Sequence, residues 1–163
     1  MKRDEIVTGS WDHTIRVWSL NACKRVLKGH SSWVTCLLLM PDEERLVSGS
    51  ADQTIRVWDV STGECEHILL GHTSWITCTT LLDKRQMLVA SGSSDSRIKI
   101  WDLRKGKRGG KCLRTFECQA NWITCLEVAV NTHELVSGFR DGRIKVWNLR
   151  GQSQEIRKYL GGV

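Results

Sequence analysis

The chain has 163 residues, 40% of them apolar and 26% charged, with a formal net charge of +6, an ordinary globular balance that excludes a disordered chain. Its longest apolar run, Val34 to Met40, is far shorter than the roughly 18 residues a membrane-spanning helix requires. Trp supplies eight of the aromatic side chains, against two Phe, one Tyr and a single Pro, and that skew is the first feature to explain.

Residues 1–5 carry acids where a secretory leader would be apolar, and no Asn-x-Ser/Thr sequon occurs, so an intracellular address, cytoplasmic or nuclear or both, is expected. From there the elements read as strands. A strand over Glu5–Gly9 runs into a turn at Asp12, and Thr14–Trp18 follows with β-branched residues alternating with polar ones. Cys23–Leu27 is a further strand. After Gly29-His30 a new strand opens at Trp33, and Arg45–Ser50, Thr54–Trp58 and Cys65–Leu69 repeat the order. Gly71-His72 then precedes strands opening at Trp75, running through Ser91, over Arg97–Trp101 and over Cys112–Phe116. The last set opens at Trp122, passes through Ser137 and the Asp141-Gly142 turn to Arg143–Trp147, and ends near Glu155–Leu160.

These strands are registered copies of one unit. Trp18, Trp58, Trp101 and Trp147 are spaced 40, 43 and 46 apart. Six residues before each stands Asp12, Asp52, Asp95 or Asp141, and four before each Asp stands Thr8, Ser48, Ser91 or Ser137. A period of this length is the mark of a repeat architecture. Four short strands per unit form one antiparallel sheet. The units span approximately residues 5–28 (partial), 33–70, 75–116 and 122–160, a single repeat region over 1–163 with 15 strands or about 3.75 units.

The ordered set of Gly-His, a Ser-x-x-x-Asp strand end and Trp-Asp resembles the WD-repeat family of β-propellers. It is literal in Trp58-Asp59 and Trp101-Asp102 and relaxed to Trp18-Ser19 and Trp147-Asn148. The resemblance implies an all-β fold of four-stranded antiparallel blades set radially round a channel, typically four to eight of them. It also implies a non-catalytic scaffold or adaptor that binds protein or peptide ligands. Sixteen strands would close a four-blade ring, and the innermost strand of the first unit is missing, so the chain reads as a partial or open propeller. Its open flanks suit self-association that completes the ring.

His30, Ser48 and Asp52, and again His72, Ser91 and Asp95, have the residue types of a hydrolase triad. A catalytic set is needed once, whereas this one recurs and always ends in Trp. The resemblance makes each set, with Trp58 or Trp101, a structural tetrad, a buried hydrogen-bond chain. No enzyme activity and no cofactor are expected. Six of the seven Cys fall on repeat positions without zinc-site spacing, so no metal is expected. The seventh, Cys118, stands where the other units have Gly29 and Gly71, next to Gln119 in place of His. The last unit therefore lacks the full tetrad, and Cys118 is either a small buried hydrophobe or a reactive thiol.

Two features are left for function. The family binds partners chiefly on the face bearing the loop before the innermost strand and the Asp turn. Carried over by position, that face holds Trp11, Ser31, Trp33, Ala51, Thr73, Trp75, Ser94, Ala120, Trp122 and Arg140. Trp is the residue most enriched at binding hot spots, although the same indoles also suit packing against one another. The other feature is the basic loop 104–111, with Arg104, Lys105, Lys107, Arg108 and Lys111, an insertion between third and fourth strands on the opposite face. It suits RNA or a ribonucleoprotein as the alternative partner, and equally suits plain solvation. No membrane partner is expected.

Overall fold

A computed structural model describes residues 5–19, 22–85, 87–104, 110–118, 121–129 and 134–149, together with the backbone of a last strand at Arg157–Tyr159. Among these residues there are fifteen strands and no helix. The first sheet has three strands, β1 (Ile6–Gly9), β2 (Ile15–Ser19) and β3 (Ala22–Leu27). The second runs β4 (Val34–Leu39), β5 (Arg45–Ser50), β6 (Ile55–Asp59) and β7 (Cys65–Leu69). The third runs β8 (Ile76–Asp83), β9 (Leu88–Ser93), β10 (Arg97–Asp102) and β11 (Lys111–Glu117), and the fourth β12 (Ile123–Ala129), β13 (Glu134–Phe139), β14 (Ile144–Asn148) and β15 (Arg157–Tyr159). Each sheet is an antiparallel meander of neighbours in chain order, which short connections dictate.

The same bulge recurs just before the repeated Trp, at Val17/Trp18, Val57/Trp58 and Ile100/Trp101, where the third strand pairs with the fourth. The extra residue re-aims the following side chain. A second bulge recurs on the inner strands, at Val34/Cys36, Ile76/Cys78 and Ile123/Cys125.

Alternation at period two gives each strand two faces, and the core consists of the slabs between successive sheets. Ile15, Val17 and Leu27 of the first sheet pack on Val34, Leu46 and Trp58 of the second. Val47, Ile55, Val57 and Leu69 of the second pack on Ile76, Val89 and Trp101 of the third. Ile98, Ile100 and Phe116 of the third pack on Ile123, Leu135 and Trp147 of the fourth. The inner strands lie side by side, and Thr35 Oγ1 of β4 donates to the carbonyl of Ile76 at the head of β8 (2.6 Å).

The Gly after each repeated hydroxyl makes the contact between sheets possible. A Cβ on Gly49 would collide with Ile76 Cγ2, one on Gly92 would stand 2.6 Å from Ile123 Cγ2, and one on Gly9 2.6 Å from Val34 Cγ1. The next sheet's leading β-branched residue occupies the space a side chain would take. Gly138 keeps the same notch, but among the described residues a Cβ there would meet only its own sheet, Cys125 and Thr124. The face around it is correspondingly open: Ile144 is 43% exposed, whereas Ile15, Ile55 and Ile98 at the same position are all 0% exposed. At the other end Ile6 is 67% exposed, against 1% for Leu46 and 0% for Val89 and Leu135.

Gly49→Ala is expected to cost about 1–3 kcal/mol through overpacking against Ile76, read by chemical denaturation. An unchanged denaturation midpoint would show that the close approach does not matter to stability.

Candidate functional site

In the second and third sheets the buried polar residues form one continuous chain. Trp58 Nε1 donates to Ser48 Oγ (2.8 Å), Ser48 Oγ lies 2.7 Å from His30 Nε2, and His30 Nδ1 lies 2.8 Å from Asp52 Oδ2. The third sheet repeats it through Trp101, Ser91, His72 and Asp95 at 2.8, 2.8 and 2.7 Å. With indole a donor only and Asp ionised, one tautomer satisfies every member: Ser Oγ donates to Nε2 and Nδ1–H donates to the carboxylate. Burial pushes the His30 imidazole below its ordinary value despite the Asp52 partner, so the ring is neutral. Burial alone would raise the Asp52 carboxyl, but bonds from Thr54, His30 and the Ser31 amide outweigh it and hold it at about 2.

A nucleophile so placed is of little use to a substrate. Ser48 and Ser91 are 0% exposed and both already accept an indole bond. The cleft of about 450 Å³ between the first two sheets is lined by Glu5, Lys24, Arg25, Glu43, Glu44 and Ser61, with Lys24 paired to Glu5 and the Ser61 hydroxyl bonded to Asp59. Among the described residues no cluster of His, Cys, Asp and Glu is arranged to hold a metal ion.

The outer units keep part of the chain. Trp18 Nε1 donates to Thr8 Oγ1 and Trp147 Nε1 to Ser137 Oγ, both at 2.8 Å. Gln119, at the His position of the fourth unit, lies outside the described residues. Buried Lys145 puts its Nζ 5.7 Å from the Trp147 ring centre and donates to the Cys118 carbonyl (3.0 Å). Arg56, at the same repeat position, lies 5.9 Å from the Trp58 ring centre, so a cation flanks the repeated indole in both sheets. The sequence marks this position with a basic residue in every unit, Arg16, Arg56, Lys99 and Lys145. Cys118 is 1% exposed and burial pushes its thiol up to about 12, which favours the buried hydrophobe over the reactive thiol.

The repeated Asp has a role in all four units that the His-centred reading did not contain. Asp12, Asp52, Asp95 and Asp141 each accept, through Oδ1, the backbone N–H two residues on, at 2.9–3.1 Å. Such an Asx turn lets the next residue adopt a left-handed backbone, and His13, Gln53, Ser96 and Gly142 have φ of 72°, 72°, 64° and 80°. The units without a His retain the Asp because the hairpin itself depends on it.

On the same end of the sheets the remaining four Trp come together. Trp11 stacks on Trp33 (centroids 4.9 Å, 18°), Trp33 meets Trp75 edge to face (5.8 Å, 61°), and Trp75 meets Trp122 at a tilt (6.1 Å, 50°). Arg140 closes the row with its guanidinium 4.5 Å over Trp122. Ser31 and Thr73 are exposed beside it, their amides bonded to Asp52 and Asp95. Ser94 is half-buried and donates to Ser74 Oγ (2.8 Å). Ala51 is buried, its amide donating to the Trp33 carbonyl (2.9 Å), so its methyl offers a partner little surface. Ala120 lies outside the described residues, as do Lys105, Lys107 and Arg108 of the basic loop. Arg104 turns back on Asp102, with Nε 3.0 Å from both carboxylate oxygens. Lys111 is exposed at the start of β11.

Side-by-side four-stranded sheets, each clasped by a Trp–hydroxyl bond and joined to the next through a glycine notch, define a repeat protein of the blade type. The chain belongs to the WD-repeat family: the family described as WD domain, G-beta repeat matches residues 3–19, 21–59, 63–102 and 110–148. Each full-length match begins with the outer strand of one sheet and ends with the third strand of the next, so the sequence repeat and the sheet are out of step by one strand. The chain is 41% identical over 59 residues (35% of the chain) to an uncharacterized WD repeat-containing protein of Schizosaccharomyces pombe. It is 31% identical over 100 residues (60% of the chain) to small ribosomal subunit protein RACK1y of Oryza sativa subsp. japonica. The WD repeat-containing protein pop1 of Schizosaccharomyces pombe is 46% identical over 39 residues (23% of the chain). These matches span 16%, 29% and 5% of the relatives' own lengths.

Loss of the hydrogen-bond chain is expected to be a stability defect. Asp52→Ala leaves the His30 Nδ1–H and the Ser31 and Thr54 amides without their acceptor, at about 1–3 kcal/mol. Because the folded-state pKa values of His30 and Asp52 are both depressed, their contribution is complete above pH 6.5. It fades as His30 takes up a proton below that value, and falls again as pH drops from 3.8 toward about 2, where Asp52 titrates. Thermal melts across pH 2–8 check this, and His30→Gln is expected to remove the upper phase and to move the lower one, since His30 is among the donors that depress Asp52.

Proposed function

We propose that the chain is a non-catalytic, intracellular interaction scaffold that holds protein or peptide partners on the Trp-lined end of its sheets. The observation that carries this reading is the unbroken row of Trp11, Trp33, Trp75 and Trp122, which are 74%, 39%, 43% and 40% exposed. Their Trp18, Trp58, Trp101 and Trp147 counterparts already provide each sheet's internal bond, so folding does not account for the second set. Indoles that pack on one another and still show their faces to solvent are rigid, pre-ordered contact area, and truncating such an anchor can cost 2 kcal/mol or more of binding.

RNA bound through the basic loop is the weaker reading, since Arg104 is engaged by Asp102. Affinity capture with the triple variant Trp33→Ala, Trp75→Ala, Trp122→Ala is expected to lose the partners the unmodified chain retains. Retention of the same partners, or binding that falls steeply with salt and disappears with residues 104–111, would favour the loop instead.

The two exposed sheet faces support a second reading, that copies of the chain associate end to face. Ile144 and Ile6 present apolar surface that their equivalents bury completely or nearly so, and an uncovered apolar face favours association. Light scattering is expected to give a mass above 18.6 kDa that rises with concentration, and Ile144→Lys to return it toward the monomer. A monomer with cooperative unfolding at every concentration would contradict it.

A further inference from the structure

Neighbouring indoles of the row do not all meet alike. Trp11 and Trp33 lie nearly parallel at 18° with centres 4.9 Å apart, so one ring covers the other and nothing fits between them. Trp33 and Trp75 meet at 61°, and Trp75 and Trp122 at 50°. An angled pair leaves a wedge walled by one ring's face and the other's edge, and all three of these rings are partly open to solvent. The row therefore has two wedges, with Trp75 forming a wall of both.

Their spacing selects the shape of the occupant. Successive ring centres step by 5.8 and 6.1 Å, close to the roughly 6.5 Å that separates alternate side chains of an extended polypeptide. A stacked nucleic-acid strand advances about 3.4 Å per base, out of step with the wedges. A single-stranded nucleic acid also requires a row of cations along its backbone, and the cation touching the indoles is Arg140 alone among the described residues. Arg140 lies over Trp122, the last ring of the row, and pairs with no carboxylate among the described residues. A guanidinium set against an indole can still offer N–H groups to a carboxylate bidentately.

We propose that the row is a docking groove for an extended peptide with small aliphatic side chains at positions i and i+2, one in each wedge, and an acidic side chain at i+4 on Arg140. This rests on the Trp-lined end being the binding surface and adds the chemistry of its ligand. Selectivity resides in the spacing, because a peptide with its aliphatic residues at i and i+3 places the second on the opposite side of the extended chain, away from the wedge.

Fluorescence anisotropy with labelled decapeptides on the full chain tests it. The probes carry two Val at i and i+2 with Asp at i+4, the same residues with the second Val at i+3, and the first peptide with Lys in place of Asp, each in both chain directions. The first probe is expected to bind about tenfold tighter than the other two. Trp75→Ala is expected to abolish the preference while Trp75→Phe, which keeps a ring in both wedges, retains it. Arg140→Glu is expected to reverse the preference toward the Lys peptide. Equal binding of the spacing isomers, an unchanged charge preference in Arg140→Glu, or tighter binding of oligouridylate than of any peptide would overturn the proposal. If the peptides are not distinguished but the triple Trp variant still loses its captured partners, the register fails and the surface stands. If that variant keeps its partners, the surface itself is wrong.

Discussion

No sheet of this chain can bury its own apolar face, and everything else in the structure depends on that constraint. A four-stranded meander has two sides, and alternation gives each side apolar residues, so stability comes from the neighbour. The glycine notch lets the neighbour in: Ile76 sits where a Cβ of Gly49 would be, and Ile123 where a Cβ of Gly92 would be. Inner strands brought that close place the loops that precede them shoulder to shoulder, and those loops carry Trp33, Trp75 and Trp122. The contact that assembles the core therefore also assembles the indole row.

The hydrogen-bond chains act at right angles to this packing. Each binds the strands and the preceding loop of one sheet into a unit, from the buried indole of the third strand to the Asp of the hairpin. Asp52 also accepts the Ser31 amide and Asp95 the Thr73 amide, so the chain positions the very segments that lead into the row. In the fourth sheet the buried Lys145 ties its strand to the preceding segment, through Nζ donating to the Cys118 carbonyl.

Most of the fold was legible because it is written four times. The Trp, Asp and hydroxyl spacings and the alternation in Thr54–Trp58 and its copies locate the strands and their order, and β2, β6, β10 and β14 lie where those residues point. What depends on contact between sheets was not legible. The notch at Gly49 is a distance to Ile76, a residue of a different repeat, and nothing in Ser48-Gly49-Ser50 distinguishes it from turn chemistry. The left-handed backbone of His13, Gln53 and Ser96 was hidden because only the fourth unit marks it with a Gly. The rim positions were reached by likeness to the family, and that likeness does not tell buried Ala51 from exposed Arg140.

The one-strand offset between the sequence repeat and the sheet bears on how such a chain grows. Each full-length matched stretch supplies the outer edge of the sheet behind it and the three inner strands of the sheet ahead. Copying one full-length stretch in tandem therefore inserts a whole sheet while leaving the strand count of every existing sheet unchanged, and deleting one removes a sheet as cleanly. Cutting between sheets instead would have to fall inside a stretch, in the loop between its first and second strands. The offset makes the chain tolerant of changes in repeat number at the level of its coding unit, while stitching each sheet covalently to the one it packs against.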